Sequence, residues 1–189
     1  MTEILNRRDT FKAVLLPLIA AQLAAQPAAA QTGAASVIVY LSRSGNTRVL
    51  AGALSRRFNA DLIELRPRDP WPADYEQMVG WASAMREQGN NVPLAGDLPD
   101  IAGYDTVFLC HPIWGGDLPA VTASFLQSHD LSGKTVIPII THGGYGIGDA
   151  VATAQSLAPN ARFTEPFVLE CNQERDDLAS LNAWLGENL

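Results

Sequence analysis

Residues 36–41 (SVIVYL) form a nearly unbroken apolar, β-branched run. A strand of this kind has no polar face to offer water, so it must be covered on both sides. A polar turn containing Gly45 follows, and then Val49, Leu50, Ala53, Leu54 and Phe58 recur at helical spacing. The same alternation continues down the chain. Strands are expected at 62–65, 106–110, 136–140 and 163–169, and helices at 75–87, 120–127, 148–157 and about 173–185. Five buried strands alternating with five helices predict a doubly wound α/β domain built on a parallel sheet, because each crossover lays a helix over one sheet face.

The chain has 189 residues, enough for one core and too few for two full domains. Its formal charge of −7 opposes the basic footprint that a nucleic-acid backbone demands, so partners with basic docking surfaces or neutral small molecules are expected instead. Pro67, Pro70, Pro72, Pro93 and Pro99 break any helix beginning in 67–72 or 89–105, and both segments read as surface connections.

Residues 1–30 read as an export signal preceding a domain at 31–189. Asn6-Arg7-Arg8-Asp9-Thr10-Phe11-Lys12 leads into an apolar run from Ala13 to Ala25 and then Pro27-Ala28-Ala29-Ala30, with cleavage expected after Ala30. The run is shorter than the roughly 18 residues that span a bilayer, so no permanent membrane span is expected in the mature chain. The paired arginines and weakly hydrophobic, alanine-rich core resemble a twin-arginine signal. That resemblance implies a periplasmic protein which folds, and often loads a cofactor, before crossing the membrane. Removal of the segment would make the remainder one charge more negative, since Arg7, Arg8 and Lys12 leave with only Glu3 and Asp9.

In an open parallel sheet, ligands bind beyond the C-terminal strand ends, so the residues following strands carry the functional information. After the first strand stands Ser42-Arg43-Ser44-Gly45-Asn46-Thr47. Short hydroxyl and amide side chains around a glycine, at the start of a helix with its unpaired N–H groups, suit an anion such as phosphate. The nucleotide-loop lysine pattern and the G-x-G-x-x-G pattern are both missing here. After the third strand stands Pro112-Ile113-Trp114-Gly115-Gly116-Asp117, which sets a broad aromatic face beside two glycines. After the fourth stands Thr141-His142-Gly143-Gly144-Tyr145-Gly146-Ile147-Gly148, with a second aromatic and four glycines that expose backbone N–H groups. The two loops suit opposite walls around a planar ring.

These three segments, in this order, closely resemble a small bacterial flavodoxin over roughly residues 36–188. The quieter stretches Trp71-Pro72-Ala73-Asp74-Tyr75, Gly96-Asp97-Leu98-Pro99-Asp100 and Leu131-Ser132-Gly133-Lys134 share in it. The resemblance implies strand order 2-1-3-4-5 and non-covalent FMN at the switch between the first and third strands. The phosphate would sit on Ser42, Ser44, Asn46 and Thr47 and on the amides of Arg43 and Gly45. Trp114 would stack on one ring face and Tyr145 on the other. Gly115 or Gly116 would present a carbonyl to flavin N5 when that nitrogen is protonated, and His142 would reach the pyrimidine edge or cap the strand. Asp117 and the net charge would oppose an anionic reduced flavin and lower its potential. In place of Gly115, relatives of this branch often carry a second tryptophan, so one ring face would be less covered.

His111 and His129 read as packing residues. Cys110 and Cys171 end the third and fifth strands with the fourth between them, too far apart for a disulfide, and no metal-ligand spacing is present. Three functions remain open: an exported electron carrier that exchanges electrons with redox proteins, an NAD(P)H- or quinone-dependent FMN oxidoreductase, and a cofactor-free anion-binding module. Fold alone does not choose among them.

Overall fold

A computed structural model describes residues 35–171 and 174–189. The expected export signal at 1–30 and the expected helix start at 173 lie outside the described residues. Within them the order is β1 (Ser36–Tyr40), α1 (Asn46–Phe58), β2 (Asp61–Glu64), α2 (Tyr75–Glu87), β3 (Thr106–Pro112) and α3 (Ala120–Ser128). There follow β4 (Thr135–His142), α4 (Ala150–Leu157), β5 (Arg162–Phe163), β6 (Phe167–Glu170) and α5 (Glu174–Asn188). The strands run parallel in the order β2-β1-β3-β4, with β5 and β6 both on the far edge of β4. This is the flavodoxin-like 2-1-3-4-5 arrangement of a doubly wound α/β fold.

Strand pleating sends alternate residues to the two faces. Val37, Val39, Leu41, Val107 and Leu109 face one core, together with Val121 and Phe125 of α3 and Ala150 and Ala154 of α4. Ile38, Tyr40, Phe108, Ile137 and Ile139 face the other, with Leu50 and Leu54 of α1 and Leu181 and Leu185 of α5. Each fully buried aliphatic side chain contributes roughly 2 kcal/mol of transfer free energy, so both faces of the apolar strands are needed to hold the sheet.

The single fifth strand expected at 163–169 is two segments. Thr135↔Arg162 and Val136↔Phe163 pair in one register, and Ile139↔Phe167 resumes one residue out of step. Three edge residues, Thr164 to Pro166, therefore oppose two on β4, the signature of a bulge. Proline explains the position. Val136 accepts from Thr164 N–H at 3.0 Å across this edge, and Pro138, two residues on, turns the same way with no N–H to give. The helix expected from 148 begins at Ala150.

The two proline-bearing connections also depart from the expected surface loops. They pair antiparallel with each other through Pro67↔Leu94, Arg68 N–H to Pro93 O (2.7 Å) and Ala95 N–H to Arg66 O (2.8 Å). Val92 and Ile101 are buried in the core, and Ser124 Oγ accepts from Val92 N–H at 2.7 Å. Among the described residues, no helix is long and apolar enough to cross a membrane.

Candidate functional site

The three loops after β1, β3 and β4 converge at the C-terminal end of the sheet around one cleft of about 610 Å³, within the size range of cofactor sites.

The first loop is shaped by Gly45, whose φ of +108° is disfavoured for residues with a Cβ. It stands at the N-cap of α1, and no side chain caps that end. The first helical bond runs from Val49 N–H to Gly45 O, so the N–H groups of Asn46, Thr47 and Arg48 have no acceptor within the helix and carry its positive end. Ser44, Asn46 and Thr47 line the cleft there with Arg43. Thr47 is buried, its Oγ1 2.9 Å from Thr141 Oγ1, which ties α1 to the end of β4. One hydroxyl of that pair accepts, and its own proton is left to donate. Ser42 departs from the expected role: it is buried, off the cleft wall, and accepts from Gly45 N–H at 3.1 Å. It shapes the loop, and the Gly45 amide is spent on it.

In the second loop Trp114 and Asp117 exchange backbone bonds across Gly115 and Gly116, whose φ values are +61° and +77°. Two positive φ angles in a two-residue reversal are the type I′ turn, which glycine pairs favour. The expected free carbonyls are both engaged: Gly115 O accepts from Arg86 Nη1 at 3.3 Å, and Gly116 O from Asp149 N–H at 3.1 Å. Arg86 also donates to Trp114 O at 3.1 Å. Its guanidinium fills the space a side chain at Gly115 would take, since a Cβ there would lie 2.3 Å from Nη1. Trp114 is half-buried and is held edge-on by Trp71, with centroids 5.7 Å apart. Asp117 is not on the cleft wall; its carboxylate accepts from Leu118 N–H at 2.6 Å. The expected effect of this carboxylate on a bound ring therefore loses its direct basis.

In the third loop His142 Nδ1 accepts from Gly144 N–H at 3.1 Å, bracing the chain reversal while the ring still lines the cleft. Tyr145 lines the cleft with its side chain in open solvent, 99% exposed. Gly143 and Gly146 complete that wall, whereas Gly144 and Gly148 do not reach it. Gly148 serves close packing instead: with φ at +52°, a Cβ there would fall 1.8 Å from Gly116 O. The second and third loops touch backbone to backbone at this point.

Pro112, Ile113 and Thr141 complete the floor. Next to it, His111 is buried with Nδ1 3.0 Å from Pro112 O, and burial lowers its pKa to about 4. It is a neutral packing residue. His129 lies against the Phe125 ring at the end of α3. Burial pushes the Cys110 thiol well above its ordinary range. Neither Cys110 nor Cys171 is in a disulfide. Sequence reasoning missed three residues near the cleft. Tyr75 and Cys171 line it, and Arg86 sits behind the second loop. Tyr75 stands at the first position of a capped helix, where Asp74 accepts from Gln77 N–H, and that start was legible. The meeting of Arg86 with a turn 28 residues away had no local signal. Arg43 is the only formally charged residue among those lining the cleft. Its Nη2 donates to Ala73 O at 2.9 Å, and its guanidinium carbon lies 6.0 Å from the Tyr75 ring centroid.

A flavodoxin family model matches residues 35–188. A candidate flavoprotein of Bacteroides uniformis is 25% identical, with a TM-score of 0.70 over 82% of this chain and 99% of that one. A second, from Bacteroides eggerthii, is 26% identical, with a TM-score of 0.68 over 82% and 98%. A Lactobacillus acidophilus flavoprotein solved in complex with FMN shares the fold at 17% identity, with a TM-score of 0.64 over 81% and 99%. No curated protein sequence matches. With the family match spanning the whole described domain and all three loops meeting at the sheet's C-terminal edge, the chain belongs to the flavodoxin family.

Proposed function

We propose that this protein binds FMN in the cleft and serves as an exported electron-transfer protein. The observation that carries the reading is the uncapped N-terminus of α1, aimed at a cleft whose two other walls carry Trp114 and Tyr145. Bound FMN supplies the redox chemistry, taking up and returning electrons at its ring. The chain's own residues hold it. The N–H groups of Asn46, Thr47 and Arg48 and the hydroxyls of Ser44 and Thr47 receive the phosphate, with helix charge and hydrogen bonding acting together. Trp114 offers an apolar face fixed by Trp71. Tyr145, otherwise bathed in water, covers the opposite side. A flavoprotein of the same fold carries FMN, which supports the fit.

Export rests on residues 1–30, and with it a periplasmic setting. The net charge of −7 favours redox partners with basic docking surfaces, through long-range attraction. An electron carrier needs no second substrate beside the bound cofactor.

The test is titration of the purified protein with FMN, followed by flavin absorbance, tryptophan quenching and calorimetry. One-to-one binding is expected, and the pair Ser44→Ala, Thr47→Ala should weaken it at least tenfold. Unchanged flavin content in that double variant would refute the phosphate assignment. Rapid bleaching by NADH or NADPH with no added reductase would replace the carrier with an oxidoreductase.

A further inference from the structure

Beside the main cleft, a second cavity of about 200 Å³ opens between α2 and the Trp114 turn. Its helical wall is a single stripe, Tyr75, Met78, Val79, Ala82, Ser83 and Arg86, at spacings of three and four residues. Ile113, Trp114 and Gly115 form the facing wall, and Arg43 closes one end. Two features are unusual for a surface groove. Val79 is 48% exposed and Tyr75 65% exposed, although both lie on the wall of a cavity. The half-buried Arg86 donates to the Trp114 and Gly115 carbonyls, whereas the exposed Arg43 donates to Ala73 O and lies over the Tyr75 ring. Among the described residues the ion pairs are Arg48–Glu64 and Arg66–Glu64, both elsewhere. On the same helix, the carboxylate of Glu87 is occupied by Ser83 at 3.5 Å and is not on the cavity wall.

A partly desolvated cation without an anion is a poor use of charge, and planar guanidinium groups match carboxylates. Beside Arg86, the apolar side chains of Val79, Ala82 and Trp114 define the rest of the ligand. We propose that this side cavity binds a small aromatic carboxylate, with its acid group on Arg86 and its ring against Val79, Ala82 and Trp114. The volume suits a one- or two-ring acid and excludes a dinucleotide. The two cavities share Arg43, Tyr75 and the Ile113–Gly115 wall, so the test separates binding here from binding of FMN. A molecule bound here lies directly alongside the main cleft.

The experiment is calorimetric titration of the full mature protein with 2-naphthoate and with its uncharged analogue 2-naphthamide, with and without saturating FMN. FMN binding is recorded in its own titration, so a failure there is seen separately. Naphthoate is expected to bind one-to-one in both conditions, at least tenfold tighter than the amide. Val79→Asp, a surface helix change that puts a carboxylate on the cavity wall, should cut the acid-to-amide preference at least fivefold. Arg86→Lys should keep more of the preference than Arg86→Gln. Absence of saturable binding, equal affinity for acid and amide, an unchanged preference in Val79→Asp, or one-for-one displacement of naphthoate by FMN would each overturn the proposal.

Discussion

Replacing Gly148 with alanine should separate the second and third loops and destabilise the whole domain. The new Cβ would lie 1.8 Å from Gly116 O, a backbone atom that no side-chain rotation can move aside. Alanine at φ +52° also enters the left-handed region, at a cost of about 1 to 2 kcal/mol. Relieving the overlap requires a shift of more than an ångström at the contact. That breaks the 3.1 Å bond from Asp149 N–H to Gly116 O, worth about 1 kcal/mol. The total is about 2 to 3 kcal/mol, a sizeable share of a stability of roughly 5 to 15 kcal/mol. Urea denaturation of the FMN-free protein measures it, with Gly143→Ala as the internal control. A Cβ on Gly143 meets no atom within 4 Å, so that variant should stay within about 0.5 kcal/mol of the parent. Because the affected loops are opposite walls of the cleft, FMN affinity should fall about tenfold in Gly148→Ala, a loss on the order of 1.4 kcal/mol. A Gly148→Ala protein within about 0.5 kcal/mol of the parent, or an equal loss in both variants, would refute this account of how the walls are held.

His111 gives a pH dependence of defined sign. Its folded pKa of about 4 lies below the unfolded value near 6.5, so the unfolded chain takes the extra proton between them. The contribution is fully present above about pH 6.5 and is lost as pH falls through the folded value, by about 3 kcal/mol at most; denaturation midpoints across pH 4 to 7 should show this slope, and His111→Gln should flatten it. Cys110 is fully buried and should resist iodoacetamide in the folded protein, while Cys171 on the cleft wall should react, more slowly once FMN is bound; equal labelling would contradict their placement. Thr47→Val keeps the shape but removes the 2.9 Å bond to Thr141, so a stability loss of about 1 kcal/mol should accompany weaker FMN binding, both visible in one denaturation series with and without ligand.

The strands and the anion-binding turn were legible because their signals are local. An apolar run such as 36–41 states its own burial, and Ser44, Gly45, Asn46 and Thr47 announce a helix start by their chemistry. Distant encounters were not legible. Gly148 reads as one more flexible glycine until Gly116 O is placed against it. Arg86 reads as a solvent-facing cation near the end of α2, a favourable place for one, until the fold brings the Trp114 turn under its guanidinium. Ser42 and Thr47 look equivalent in the sequence, yet one hydroxyl folds back on Gly45 N–H and the other meets β4. The split fifth strand was within reach, since Pro138 and Pro166 stand in plain view, but its cause is a register relation between two strands that no single segment encodes.

The most direct test of the central claim is the FMN content and dissociation constant of the folded, purified domain. A yellow protein with one FMN per chain, retaining it in the submicromolar range and losing it in Ser44→Ala, Thr47→Ala, is the predicted result. A cooperatively folded but colourless protein that takes up no FMN at concentrations of about a millimolar would contradict the claim.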